Sequence, residues 1–171
     1  ASYLMSSSVL PLASNSLNVN YWSYDNNVEN FSRADTLPRV WVTTGLISTD
    51  ESQYEIIAWY DDSDGTWTLY YYTQADNIYM NQDSSYMFRS LGGLVDTSWI
   101  ENWKTDNVTN MYAMFYDCDS LEVVDFSDWN VSNVTSMERM FEYCDNLRTV
   151  NLRGWNAVSL ISTEGMFYEY D

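Results

Sequence analysis

Two cysteines, Cys118 and Cys144, stand 26 residues apart. If each belongs to one copy of a repeated unit, the two thiols point inward on neighbouring rungs about 4.8 Å apart. That spacing falls within the Cα range a disulfide requires, and an exported protein permits the bond. The simpler reading is a stacked pair of free, buried thiols that fill small core sites. A metal would need more ligands than two thiols, and the chain has no histidine. We therefore assign no metal, no cofactor and no catalytic residue.

Asp61-Asp62-Ser63-Asp64-Gly65 places three carboxylates within five residues. A calcium loop wants oxygens at alternating positions and a distant bidentate acid, and no such acid is identifiable, so the run reads as a turn. Glycoside hydrolysis by paired carboxylates is considered because acids are plentiful, but no specific pair stands out. Asn30, Asn107, Asn130 and Asn133 each open an Asn-X-Ser/Thr triplet. The repeated ones have a structural explanation, since Asn and Thr at turns satisfy backbone groups through their side chains.

Trp59, Tyr60, Trp67, Tyr70, Tyr71 and Tyr72 concentrate aromatic surface in one stretch. Half of them face away from the core if the strands alternate. Exposed aromatics can stack on sugars or anchor a protein partner. The competing arrangement buries both faces, one against the repeats and one against the N-terminal segment.

The elements that must position these residues are partly legible. Residues 54–60 and 66–72 are rich in β-branched and aromatic types and flank the Asp-rich turn, which predicts a β-hairpin. Val40 to Thr44 reads as a short strand after Pro38. Ser6 to Ser8 and Ser14 to Ser16 suggest an extended leader.

From residue 77 onward the chain repeats. Met114-Phe115, Met140-Phe141 and Met166-Phe167 recur every 26 residues, as do Trp103, Trp129 and Trp155. Leu121 and Leu147 keep the interval, and Met87-Phe88 precedes the series with an offset of 27. A fixed period of this length means one supersecondary unit stacked on copies of itself. Met137, Met140, Phe141 and Cys144 fall at i, i+3, i+4 and i+7, the face of a short helix over 136–144 capped by Thr135 or Ser136. Val150 and Leu152 alternate with polar neighbours as in a strand, and the alignment puts Phe126 and Trp99 in equivalent strands. Ile78 and Met80 would form the first. Met87, Phe88, Met114, Phe115, Cys118, Leu121, Met140, Phe141, Cys144, Leu147, Met166 and Phe167 are the expected core. The expectation is an α/β solenoid, a leucine-rich-repeat-like stack of short parallel strands and helices. Its parts are an extended or β segment (1–53), a hairpin (54–76) and the array (77–171).

The chain carries 25 acidic and 7 basic residues, a formal net charge of -18. This argues against nucleic acid or an anionic membrane as partner, because both need a basic surface. An aromatic content of 17% argues against disorder. No apolar run approaches the ~18 residues that span a bilayer. The start at Ala1 and the abundance of Asn, Ser, Thr and Tyr suggest a mature, exported protein whose signal peptide has been removed. The repeat degrades towards Asp171 without a polar cap, which suggests a longer native chain or an edge covered by another molecule.

N-V-T-x-M-x-x-M-F-x-x-C-x-x-L-x-x-V occurs at 107–124 and again at 133–150. This motif closely resembles the BspA-like leucine-rich-repeat surface proteins of bacteria, and the resemblance covers about residues 54–171. It implies an extracellular or cell-surface protein that binds a protein or glycan on host, matrix or neighbouring cells, and it carries no catalytic residues. The expectation is a non-enzymatic adhesion or protein-interaction module. The alternative is a structural subunit of an extracellular filament, self-assembling through its N-terminal segment.

Overall fold

A computed structural model of the chain describes residues 9–10, 28–42, 44–46 and 54–168. The serine-rich leader and the residues at Asp171 lie outside the described residues.

Strands β4 (Ile57–Asp61) and β5 (Thr68–Tyr72) form an antiparallel hairpin in which Ile57 pairs with Tyr72 and Asp61 with Thr68. Its turn is held by its own side chains. The Asp61 carboxylate accepts the Ser63 N–H at 2.8 Å, and the Asp64 carboxylate accepts the Thr66 N–H at 2.9 Å. Gly65 sits at φ +88°, where a side chain would be strained. Strand β2 (Asn30–Arg33) adds parallel to β5, and β3 (Gly45–Leu46) adds antiparallel to β4, giving the order β2-β5-β4-β3. Phe31, Ala58, Leu69 and Tyr71 are buried on the inner face. Ile57, Trp59, Tyr70 and Tyr72 alternate with them and point outward.

The inner face packs on the repeats. Successive copies are joined by parallel bridges at one position per copy: Asp83 to Asn110, Asn110 to Ser136, Ser136 to Ser162. Elsewhere two copies pair as short parallel strands, β7 (Val123–Asp125) with β8 (Thr149–Asn151). At the start of the array β6 (Tyr79–Met80) pairs in parallel with β1 (Val9–Leu10) of the N-terminal segment.

The expected α/β solenoid of strands and helices is overturned. Among the described residues there is no α-helix, only a three-residue 3-10 turn at Ser98–Ile100, and the strands form small sheets of two, four and two. Residues 136–144 are a run of turns. Met140, Glu142 and Cys144 donate their N–H to the residue three back, at 3.2–3.3 Å. The intervening Met137, Arg139, Phe141 and Tyr143 donate instead to Ser162, Glu164, Met166 and Tyr168 of the next copy, at 2.8–3.1 Å. A helix would send every N–H to its own residue i−4. Here alternate donors leave the segment, so the leucine-rich-repeat-like unit does not form.

The backbone makes this possible with left-handed residues four apart in each copy: Tyr86 and Ser90, Ala113 and Asp117, Arg139 and Tyr143. Such residues break helical continuity while keeping apolar side chains at three- and four-residue intervals. That is why the spacing reads as helical. Two further corrections are local. Trp99 lies in the 3-10 turn rather than a strand. Val40 to Val42 form a turn closed by the Val42 N–H to Arg39 carbonyl bond of 3.0 Å, and the strand comes later, at Gly45–Leu46.

Burial of the repeat core follows the period. Met87, Phe88, Met114, Phe115, Cys118, Leu121, Met140, Phe141, Cys144 and Met166 are buried; Leu147 is half-buried and Phe167 exposed. The phenylalanines stack as a column. Phe88 to Phe115, Phe115 to Phe141 and Phe141 to Phe167 are separated by 5.2, 5.7 and 5.5 Å between ring centroids. Phe31 of the sheet meets the column edge-on at 6.0 Å from Phe88.

Candidate binding groove on the outer face of the sheet

The loop between β2 and β3 folds back over the outer face of the hairpin. It is anchored where the Ala34 N–H donates to the Tyr71 carbonyl at 2.8 Å. Between loop and hairpin lies an open groove of about 730 Å³, lined by Thr36, Leu37, Arg39, Trp41, Asp61 and Asp62 among others. Its floor is Trp59 and Tyr70, a cross-strand pair stacked at 5.8 Å with 18° between ring planes. Trp59 is only 6% exposed. Trp41 is 72% exposed on the loop, and the Arg39 guanidinium lies 5.3 Å over its ring. A smaller groove on the same face, about 260 Å³, is lined by Leu37, Tyr54, Glu55, Ile57, Tyr72 and Gln74.

The six expected aromatics therefore divide. Trp59 and Tyr70 face the larger groove and Tyr72 the smaller. Tyr60 borders the larger groove on β4, but pairs with the inward Leu69 and packs against the core. Tyr71 points the other way, where it accepts a 3.3 Å hydrogen bond from the Trp103 indole and is half of a T-shaped pair with that ring. Burial pushes the Tyr71 hydroxyl above the ordinary tyrosine range, against the Trp103 hydrogen bond and the charge of Arg33. It is a joint between sheet and repeats. Trp67 precedes β5, half-buried, and its carbonyl accepts the Glu29 N–H at 2.9 Å.

Arg39 and Trp41 were missed as site residues because residues 40–44 read as a strand. A usable signal was present: one of only seven cations stands two residues from a tryptophan, directly after a proline.

The other candidates have structural work. The Asp64 carboxyl is held below its usual range by the Thr66 backbone and side-chain hydrogen bonds, and it belongs to the turn. Asn130 accepts the Ser132 N–H and hydroxyl at 3.1 and 2.7 Å, and Asn133 donates to the Asp106 carbonyl at 2.8 Å. Cys118 and Cys144 are free and buried, and their thiols donate to the carbonyls of Phe88 and Phe115, each at 3.1 Å. Burial raises the Cys118 thiol well above its usual range and pushes Cys144 up to about 12. Two consequences are testable. A thiol-specific dye should find both thiols after denaturation without reductant and neither in the native state; silence after denaturation would mean a disulfide. Because the folded state holds these protons more tightly than the unfolded one, stability should fall as pH rises from the ordinary thiol value of 9.0 towards about 12.

A family model described as "Mycoplasma protein of unknown function, DUF285" matches residues 74–171, more than half of the chain. The chain belongs to this family. The DUF285 segment begins just after β5 and contains the repeats, whereas the groove is built from residues that precede it. Membership is a coarser statement than a BspA-like assignment, and the helix-free turns contradict the leucine-rich-repeat part of that resemblance. No curated protein and no solved structure matches the chain.

Proposed function

We propose that the chain is a non-enzymatic binding module of a bacterial cell surface. It adheres to a protein or glycan on host, matrix or neighbouring cells through the outer-face groove. The observation that carries this reading is Trp41, a large aromatic held outward beside Arg39 at the rim of a groove with an aromatic floor. Leu37 and Val40 are exposed with Trp41 on the same loop, and exposed apolar side chains that cluster in this way mark an interaction surface more than a single one does. Membership in a Mycoplasma family and the resemblance to bacterial surface proteins support the surface location. The filament alternative has less behind it, since Val9–Leu10 pairs with Tyr79–Met80 of its own chain rather than standing ready for a neighbour.

Labelled soluble chain, applied to host cells and to extracellular matrix, should bind saturably, and the double substitution Arg39→Ala, Trp41→Ala should remove most of that signal. Equal binding by the variant would overturn the assignment to this groove.

A further inference from the structure

We propose that the larger groove binds a neutral oligosaccharide, an inference that rests on reading the groove as a binding site. Three observations select this ligand.

The first is where the groove lies. It runs over β4 and β5, the two central strands of the order β2-β5-β4-β3. β5 is paired on both sides, while β3 pairs with only Ile57 and Ala58 of β4. A peptide docking by strand addition uses a sheet edge, whereas this groove opens on the sheet face, where Trp59 and Tyr70 point outward under the loop. Those side chains supply its recognition surface.

The second is which side chains these are. Trp41 presents an exposed ring, and on the floor the half-buried Tyr70 offers aromatic surface, backed by the buried Trp59 stacked against it. Flat aromatic surface suits the apolar face of a sugar ring. Around it stand donors and acceptors together: the Arg39 guanidinium, the Asp61 and Asp62 carboxylates, and the hydroxyls of Thr36 and Ser63. A carboxylate can accept from two adjacent hydroxyls and a guanidinium can donate in a fork, which matches vicinal sugar hydroxyls. The volume of about 730 Å³ lies within the usual ~300–1,000 Å³ of small-ligand sites.

The third is charge. Two carboxylates against one guanidinium line the groove, in a chain of net charge -18. That field repels sialylated, sulfated and uronic glycans and leaves neutral ones.

The test uses the full chain on an array of immobilised oligosaccharides, both neutral (hexose and N-acetylhexosamine) and acidic, followed by calorimetric titration with the soluble form of each hit. Neutral glycans should be the hits. Trp41→Ala and Asp62→Asn should each weaken binding, Trp41→Ala by about tenfold or more. The thermal midpoint should stay unchanged, because Trp41 is exposed. Hits confined to acidic glycans overturn the proposal. So does an empty array when cell binding still depends on Arg39 and Trp41; that outcome points to a protein ligand and leaves the groove intact as a site. Neutral binding that both variants retain in full places the sugar elsewhere and overturns groove and ligand together.

Discussion

Phe115→Ala should lower the stability of the chain by ~3–5 kcal/mol, measured by chemical denaturation. Phe115 is fully buried and touches more of the aromatic column than any end position can. It stacks on Phe88 at 5.2 Å, on Phe126 at 5.5 Å and on Phe141 at 5.7 Å, so it joins three copies of the repeat. Removing the ring loses its burial and leaves a cavity that the flanking rings cannot fill. Their backbones are tied by the bonds Phe88 N–H to Met114 carbonyl, 2.8 Å, and Phe115 N–H to Met140 carbonyl, 2.9 Å. The matching change at the end of the column, Phe167→Ala, should cost far less, because Phe167 is 53% exposed. A surface-like loss below ~0.5 kcal/mol at Phe115 would show that the copies are not stacked in this register.

Ala113→Val should cost about 3 kcal/mol, while Ala113→Gly should be neutral or slightly stabilising. Ala113 has φ +50° and is buried, with its N–H given to the Glu138 carbonyl at 2.9 Å. A β-branched residue is an outlier in the left-handed region, where a non-glycine residue already costs ~1–3 kcal/mol. The two extra methyl groups also overpack a filled site. Glycine relieves the left-handed strain and gives up only a methyl group. The helix expected from the sequence makes the opposite forecast: valine would cost a few tenths of a kcal/mol and glycine about 1 kcal/mol. Measured as thermal or denaturant midpoints, the order of the two variants separates turn from helix.

The same pair of residues explains how much of the fold was legible. Spacing at 26 residues located the buried positions of the repeat, because any stacked unit must send the same side chain inward in each copy. Met114, Phe115, Cys118 and Leu121 are buried, as are Met140, Phe141 and Cys144. The hairpin was legible for a local reason, since Asp and Gly between two β-rich runs make a turn from side chains within a few residues. The conformation between the inward positions was not legible. Met137, Met140, Phe141 and Cys144 satisfy a helical pattern, but Arg139 at φ +54° and Tyr143 at φ +61° are unremarkable residue types for that pattern. Nothing in Arg or Tyr signals a left-handed backbone as Gly does at 165.

For the groove the division is similar. Composition and alternation located the aromatic stretch and implied that part of it faces outward. They also set the net negative charge of the chain. Which rings face the groove depended on the register of β4 against β5, which pairs Trp59 with Tyr70 outward and Ala58 with Tyr71 inward. The placement of Arg39 and Trp41 depended on a loop that crosses the hairpin far from it in sequence. Local propensity determines which segments can turn or extend, and periodicity determines which side chains are buried together. The choice between helix and turn, and the meeting of loop with sheet, is decided by where alternate backbone donors find partners. In this protein those partners lie one copy away.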